Sequence, residues 1–175
     1  EKVDVSFTTP AGVGTADTGG FHIGTYRGGS GRFFDGLIDE VGIWNRVLRE
    51  DEVAYLAEGN PIPLPDPAKT LKDGLQASWA FEGDFSSSTF GFDGEPVNGA
   101  MISDDAKVGN GSVSFTQAEK QYVDVQNQVI ENGALAYSSA GWFKVTGGEG
   151  RRFLWETSPS NWAVSTEVTP AGNVK

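Results

Sequence analysis

The sequence predicts an all-β fold, an antiparallel sandwich or barrel with one short helix. Two observations carry this prediction: stretches in which apolar and polar residues alternate recur along the chain, and glycine-containing turns separate them. The 175 residues include 24 glycines, roughly twice ordinary usage. Apolar residues make up 38% of the chain, which is enough for a packed core. The length suits one ordinary domain or two small pieces.

Each predicted strand is a stretch of alternation or a run rich in β-branched and aromatic residues. The first half of the chain contains two such segments, at residues 21–26 and 37–44. The second half contains the segments 76–82, 113–115, 122–125, 134–145, 152–156 and 162–168. Many short strands at this spacing are typical of an antiparallel sandwich or barrel.

One helix is expected at residues 49–58, where Val53, Leu56 and Ala57 share a face and acidic residues occupy the first turn. Gly59 then ends the helix. Residues 60–67 follow with four prolines in eight positions, which predicts an extended, semi-rigid connector. We therefore divide the chain into residues 1–58, a proline-rich linker at 59–74, and residues 75–175.

The charge and the cysteine count exclude several classes of function. Acids outnumber bases 24 to 13, a formal charge of −11, and no basic patch exists that could neutralise phosphates. Nucleic acids and anionic membrane surfaces are therefore poor partners, whereas a divalent cation is a natural counter-charge. The absence of cysteine excludes disulfides, thiolate catalysis and cysteine-ligated metals. No apolar run approaches the roughly 20 residues needed to span a bilayer.

Residues 34–48 read FDGLIDEVGIWNRVL and resemble the closing motif of laminin G-like domains, which are concanavalin A-like lectin/glucanase jelly rolls. Residues 74–84 read GLQASWAFEGD and resemble the opening strand of the same kind of domain. The segments 108–115, 122–125 and 139–144 resemble the strands that follow it in that family. The resemblance implies an antiparallel jelly-roll β-sandwich of the concanavalin A-like type.

The order of these motifs is inverted, because residues 1–58 resemble the end of such a domain and residues 75–175 its beginning. The segment that normally lies between them is absent. Either the chain spans a junction in a tandem array, or both halves dock into one sandwich as in a circular permutation. A tail alone would expose strand edges and bury little core, which favours a complemented sandwich, from the same chain or a neighbouring one. The motifs begin and end in mid-pattern, so we interpret the sequence as a piece of a longer chain.

The resemblance also implies a calcium site. In related folds an aspartate at the place of Asp39, with the acid and glycine that match Glu82 and Gly83, binds an ion that ties the two ends of the sandwich. Asp84 is a further candidate ligand, and such an ion would be structural. The alternative is that Asp39 hydrogen-bonds to backbone while Glu82 is solvated. On a regular strand Asp39 and Glu40 would point to opposite faces.

Catalysis finds little support. The glucanases of this fold use an E-x-D-x-x-E strand, and no segment has that spacing. The single histidine, His22, is interpreted as a surface or packed imidazole. We therefore expect a protein that is not an enzyme.

Carbohydrate binding is the main functional prediction, because sugars are held by aromatic faces and planar polar groups. The candidate ligand-binding residues are Tyr26, Arg27, Trp155 and Trp162. Four other aromatic residues are assigned to the core, namely Trp44, Trp79, Phe115 and Trp142.

The sequence therefore predicts a non-catalytic, calcium-stabilised laminin G-like module of a larger exported protein. We expect it outside the cell or on its surface, where it would serve adhesion or bind a glycan or an extracellular protein. The alternative is a structural repeat of a surface layer or filament, in which copies of the chain complement each other's strands without a small ligand. No partnership with nucleic acid and no membrane insertion are expected.

Overall fold

In the computed structural model of the chain, residues 20–26, 28–62, 71–89, 91–131, 134, 136–157, 165–171 and 174 are described. These residues contain ten strands and one α-helix. The strands are β1 (Phe21–Ile23), β2 (Gly36–Trp44), β3 (Leu75–Trp79), β4 (Glu95–Val97), β5 (Met101–Ser103), β6 (Ser112–Phe115), β7 (Tyr122–Val125), β8 (Ser138–Val145), β9 (Arg152–Thr157) and β10 (Ser165–Val168), and the helix α1 is Glu50–Ala57. The all-β sandwich with one short helix predicted from the sequence is confirmed.

Two antiparallel sheets make up the fold. The first sheet has the strand order β10-β9-β1-β7-β4. In the second sheet, β2 pairs along one edge with β8. Its other edge pairs with β6 near the start of the strand and with β3 near its end, and β5 extends the sheet beyond β6. The long strand β2 is therefore the centre of the second sheet.

The strands from the two sides of the proline-rich segment are interleaved. In the first sheet β1 lies between β9 and β7, and in the second sheet β2 lies between β8 and the β3/β6 edge. Both N-terminal strands thus occupy internal positions whose neighbours all come from residues after the linker. Of the two arrangements that the sequence left open, the structure shows the one in which both halves contribute to one sandwich.

The space between the sheets is filled by apolar side chains from both halves. Phe21 stacks on Trp79 with ring centroids 5.3 Å apart, so a strand of the first sheet contacts a strand of the second. Ile38 and Val41 are fully buried in the same cluster. Burial of this apolar surface is the main favourable term in folding. The core assignments of Trp44, Trp79 and Phe115 are confirmed, because each is at most 2% exposed.

The helix α1 covers the opposite face of the second sheet, where a second apolar cluster joins Leu56 and Trp44 to Ala140. The Nε1–H of Trp44 donates to the carbonyl of Leu71 at 2.7 Å, which ties this cluster to the last residues of the predicted linker. The helix ends as predicted, with Gly59 at φ +85°. Its buried face differs from the prediction, however, because Ala57 is exposed.

The side chain of Glu52 is buried at the start of α1. Its carboxylate accepts hydrogen bonds from both terminal nitrogens of Arg46, each at 2.7 Å, and from the backbone N–H of Arg49 at 2.8 Å. An acid at this helical position accepts a backbone donor that the helix itself leaves unpaired. The helix is thereby joined to the end of β2. No helix among the described residues is both long enough and apolar enough to cross a bilayer.

Candidate functional site

A β-bulge in the middle of β2 places two acidic side chains on one side of the sheet. The pairing register with β8 shifts between Asp39 and Gly42, and Glu40 has a left-handed φ of +49°. Asp39 and Glu40 both line hollows that Trp142 of β8 also lines, so both carboxyl groups lie on the outer face, opposite the main core. The expectation that they point to opposite faces was wrong, because strict alternation holds only for a regular strand.

Asp39 is buried, with 3% of its surface exposed. Its Oδ2 accepts hydrogen bonds from the backbone N–H groups of Lys107 at 2.8 Å and Val108 at 2.9 Å. Its Oδ1 is also buried and has no hydrogen-bond partner among the residues that the structure describes. Burial raises the pKa of Asp39, the backbone hydrogen bonds oppose this rise, and the nearby charge of Glu82 adds to it. One oxygen of Asp39 thus remains available to a donor.

Glu40 is equally buried, and its Oε2 accepts a hydrogen bond from the backbone N–H of Ile62 at 2.7 Å. Burial raises the pKa of Glu40 to about 8; the hydrogen bond from Ile62 lowers it, while repulsion from Asp39 and Glu82 raises it further. The bulge therefore places two carboxyl groups where water is largely excluded, and the raised pKa keeps Glu40 mostly protonated at pH 7.

The other predicted calcium ligands lie in the turn after β3. The carboxylate of Glu82 accepts hydrogen bonds from the backbone N–H of Asn110, with both oxygens at 3.0 Å. Gly83 is exposed with φ +111°. Asp84 is also exposed and accepts hydrogen bonds from the N–H and hydroxyl of Ser86, which lower its pKa.

The loop between β5 and β6 is held by two of these acids. Asp39 binds the backbone amides of Lys107 and Val108, and Glu82 binds that of Asn110. Calcium requires six to eight oxygen ligands, yet the described residues contain no group of three or more histidine or acidic side chains suited to a metal ion. Backbone amides donate most of the hydrogen bonds to these carboxylates, and the side chains of Ser86 and Asn110 donate the others. The acids therefore do not form a preassembled calcium cage.

A groove of about 450 Å³ lies on the outer face of the second sheet, beside the apolar cluster that α1 covers. We call it the outer groove; its lining includes Leu37, Asp39, Asp105, Lys107, Trp142 and Lys144. Its volume lies within the range of roughly 300–1,000 Å³ that is usual for small-molecule sites.

Trp142 lies directly opposite Asp39 across the β2–β8 pairing, so its indole and the Asp39 carboxylate face the same groove. The residue is half-buried, which corrects its assignment to the core. The Nζ of Lys107 lies 4.5 Å from the centroid of the indole, a cation–π contact. At the rim, Lys144 pairs with Asp105 at 2.6 Å.

The predicted ligand-binding aromatics do not lie at this groove. Trp155 is 4% exposed and belongs to the main core, where its ring packs on Gly141, so it presents no face to a ligand and its prediction is corrected. Tyr26 is half-buried, with its ring 4.6 Å from that of Phe153 and the guanidinium of Arg32 stacked over it at 4.4 Å. Two further predicted ligand residues, Arg27 and Trp162, lie outside the described residues.

His22 lies on the outer face of the first sheet and is buried. Its Nε2 is 3.3 Å from Oδ1 of Asp124 on β7, and its cross-strand neighbour on β9 is Glu156. The interpretation of a packed imidazole agrees with this placement. The acidic neighbours on both sides were not apparent from the sequence, because they come from strands more than 100 residues downstream.

Trp142 and Lys107 line the outer groove, but neither was predicted from the sequence to do so. The segment around Trp142 is apolar at successive positions, so alternation did not reveal which aromatic faces outward. Lys107 sits in a loop whose position depends on the buried contacts of Asp39. The pairing of β2 with β8 places Trp142 opposite Asp39, and Asp39 in turn holds the loop that carries Lys107.

The comparisons with known proteins agree with the fold. Neither a search of the curated proteins nor one of the solved structures found a match. Residues 2–54, which include the IDEVGIWNR motif and all of β1 and β2, match the family model of the concanavalin A-like lectin/glucanases superfamily. Residues 2–54 are thus similar to this family, and the two antiparallel sheets are consistent with a concanavalin A-like β-sandwich.

Proposed function

We propose that this β-sandwich is a non-catalytic binding module and that its ligand is a carbohydrate held in the outer groove. The observation that carries the proposal is the half-buried indole of Trp142 in the groove, opposite Asp39. Oδ1 of Asp39 accepts no hydrogen bond from the described residues. An aromatic face suits the C–H face of a pyranose, and a buried acceptor suits a hydroxyl. Concave sites with a few placed polar groups are the usual form of small-ligand sites.

The roles of the carboxylates in the groove support a non-catalytic module. Glycoside hydrolysis requires two carboxyl groups that flank the scissile bond as acid and as base or nucleophile. Here Asp39 is engaged with the backbone of the β5–β6 loop, and Asp105 forms an ion pair with Lys144 at the rim. The superfamily contains both lectins and glucanases.

The test is a glycan array and a polysaccharide pull-down with the unmodified protein and three variants. Trp142→Ala is expected to weaken retention about ten-fold, the order of a lost aromatic contact of about 1.4 kcal/mol, and Trp142→Phe to retain part of it. Val47→Ala, at an exposed site away from the groove lining, is the matched control. Retention that is equal in all four proteins, or absent from a broad array, would contradict the proposal.

Trp162 gives a second, independent arm of this test. It was predicted from the sequence to contact a ligand. If Trp162→Ala abolishes retention while Trp142→Ala does not, the carbohydrate site lies elsewhere and the outer groove is not the binding site.

Two further parts of the proposal concern calcium and location. We infer a structural calcium ion beside Asp39 and Glu82, supported by the net charge of −11 and by the charge of Glu82, which adds to the burial that raises the pKa of Asp39 and Glu40. Gly83 and Asp84 would supply oxygens from the adjacent turn. We also infer an extracellular or cell-surface location and a role in adhesion, because laminin G-like domains are usually extracellular.

A second candidate function is a structural repeat assembled by strand complementation. The interleaving of strands from the two sides of the linker supports it, since β1 and β2 of one copy could fill the same positions in a neighbouring copy. Such an assembly would make the melting temperature and the sedimentation coefficient rise with protein concentration. A monomer that stays folded at high concentration would contradict this second candidate.

A further inference from the structure

The charges of the outer groove indicate which class of glycan it takes, an inference that rests on the proposed function. We propose that the groove selects neutral glycans over anionic ones, and that Lys107 leaves the indole face of Trp142 when the sugar binds. Lys107 is then the residue that limits access to the ring.

The unsatisfied group in the groove is an acceptor. Oδ1 of Asp39 is buried and accepts no hydrogen bond from the described part of the chain, whereas Oδ2 accepts from two backbone amides. A carboxylate oxygen in this position gains from a sugar hydroxyl that donates to it. The carboxylate or sulfate of an acidic sugar would instead meet a like charge.

Neither cation of the groove is a ready partner for an anion. Lys144 is 2.6 Å from Asp105, and Lys107 lies against the indole of Trp142. The two lysines and two aspartates that line the groove sum to zero formal charge, within a chain of net charge −11. A polyanion would therefore be repelled by the net charge of the chain, and both lysines among the described lining residues already contact another group.

Lys107 occupies the surface that a stacked sugar needs. Its ammonium lies 4.5 Å from the ring centroid, and its backbone N–H is held by Asp39, so the loop places this side chain over the ring. An exposed cation–π contact corresponds to about a two- to five-fold factor in an equilibrium constant. A sugar that stacks on Trp142 must displace this contact, and removing the ammonium should strengthen binding by that factor.

The test is isothermal titration of the folded protein with neutral oligosaccharides from β-glucan and xylan, and with anionic oligogalacturonate and heparin fragments. Lys107→Ala is expected to bind the neutral sugars about two- to five-fold more tightly. Lys72→Ala is the control, since it removes an exposed lysine outside the groove lining, and its affinity for neutral sugars should stay within about two-fold. Circular dichroism melts verify that the variants fold.

The other possible outcomes distinguish a failure of the proposed selectivity from a failure of the proposed function. Preferential binding of the anionic sugars, abolished by Lys107→Ala, would overturn the selectivity while leaving carbohydrate binding intact. Weaker neutral binding by Lys107→Ala would show that the ammonium donates to the sugar, which also overturns it. No binding of any sugar would refute the proposed function itself. If calcium lowers sugar affinity in the unmodified protein but not in Asp39→Asn, the free oxygen belongs to a cation and the proposal fails.

Discussion

The buried carboxyl of Glu40 makes the stability of this protein depend on pH. Its pKa of about 8 in the folded state lies above the ordinary value of 4.5. The folded state therefore keeps a proton that the unfolded chain releases, so the stabilising contribution is complete below pH 4.5 and is lost as the pH rises through 8. Burial is the main cause of this raised pKa, the hydrogen bond from the backbone N–H of Ile62 opposes it, and repulsion from Asp39 and Glu82 adds to it.

The size of the effect follows from the two pKa values. Between pH 5 and pH 9 the group should remove about 4 kcal/mol from the free energy of unfolding, from 1.36 kcal/mol per pKa unit. For a chain of this size that corresponds to a fall in melting temperature of about 8–16 °C. Asp39, whose pKa is also raised, adds to the fall in the same direction.

The assay is a series of denaturant melts from pH 5 to pH 9 for the unmodified protein and Glu40→Gln. Glutamine still offers an oxygen to the N–H of Ile62 but cannot ionise, so most of the loss at high pH should disappear and the variant should be the more stable protein at pH 9. Glu119→Gln, at an exposed glutamate, is the matched control and should follow the unmodified protein. Parallel curves for Glu40→Gln and the unmodified protein would refute the reasoning.

Three other predictions concern the same sandwich. Calcium should raise the melting temperature relative to chelator, and Asp39→Asn should lose this increase while keeping the fold at saturating calcium; a melt that calcium leaves unchanged would end the calcium hypothesis. Glu52→Ala should cost roughly 2–3 kcal/mol in a urea melt, because it removes the charged acceptor of Arg46 and of a helix amide; a change below about 0.5 kcal/mol would contradict the role of this buried pair. Gly36→Ala should cost about 3 kcal/mol, because its Cβ would meet the carbonyl oxygen of Lys144 at a φ of +144°; an unchanged urea midpoint would show that the strand can shift.

The sequence predicted the fold class and the helix because those features depend on local patterns. The alternation in segments such as 122–125 describes half-buried strands, and the acids and Gly59 at the ends of α1 are local markers of helix termini. The closing motif was also sufficient to identify the family of residues 2–54, since the whole motif lies within one continuous stretch.

The outer groove was harder to predict, because it depends on two features that alternation does not specify. The bulge at Asp39 and Glu40 carries no glycine at its left-handed position, so the sequence contains no marker for it. In β8, Trp142 and Phe143 are adjacent aromatics, and a shift of one residue in register exchanges the faces that they occupy. The same ambiguity in β9 led to Trp155 being assigned to a ligand surface rather than to the core.

Because the strands are interleaved, the segment that matches the family model and the folded sandwich have different boundaries along the chain. The match to the family model ends at residue 54, yet in the described part of the chain the two strands within that segment pair with strands from residues 75–157. If similar chains are joined in series, each folded body would combine the tail of one sequence repeat with the head of the next, and cutting the gene at motif boundaries would yield halves with open sheets. A protease nick in the proline-rich segment would, by contrast, leave two fragments that stay associated through the central strands until denaturant separates them.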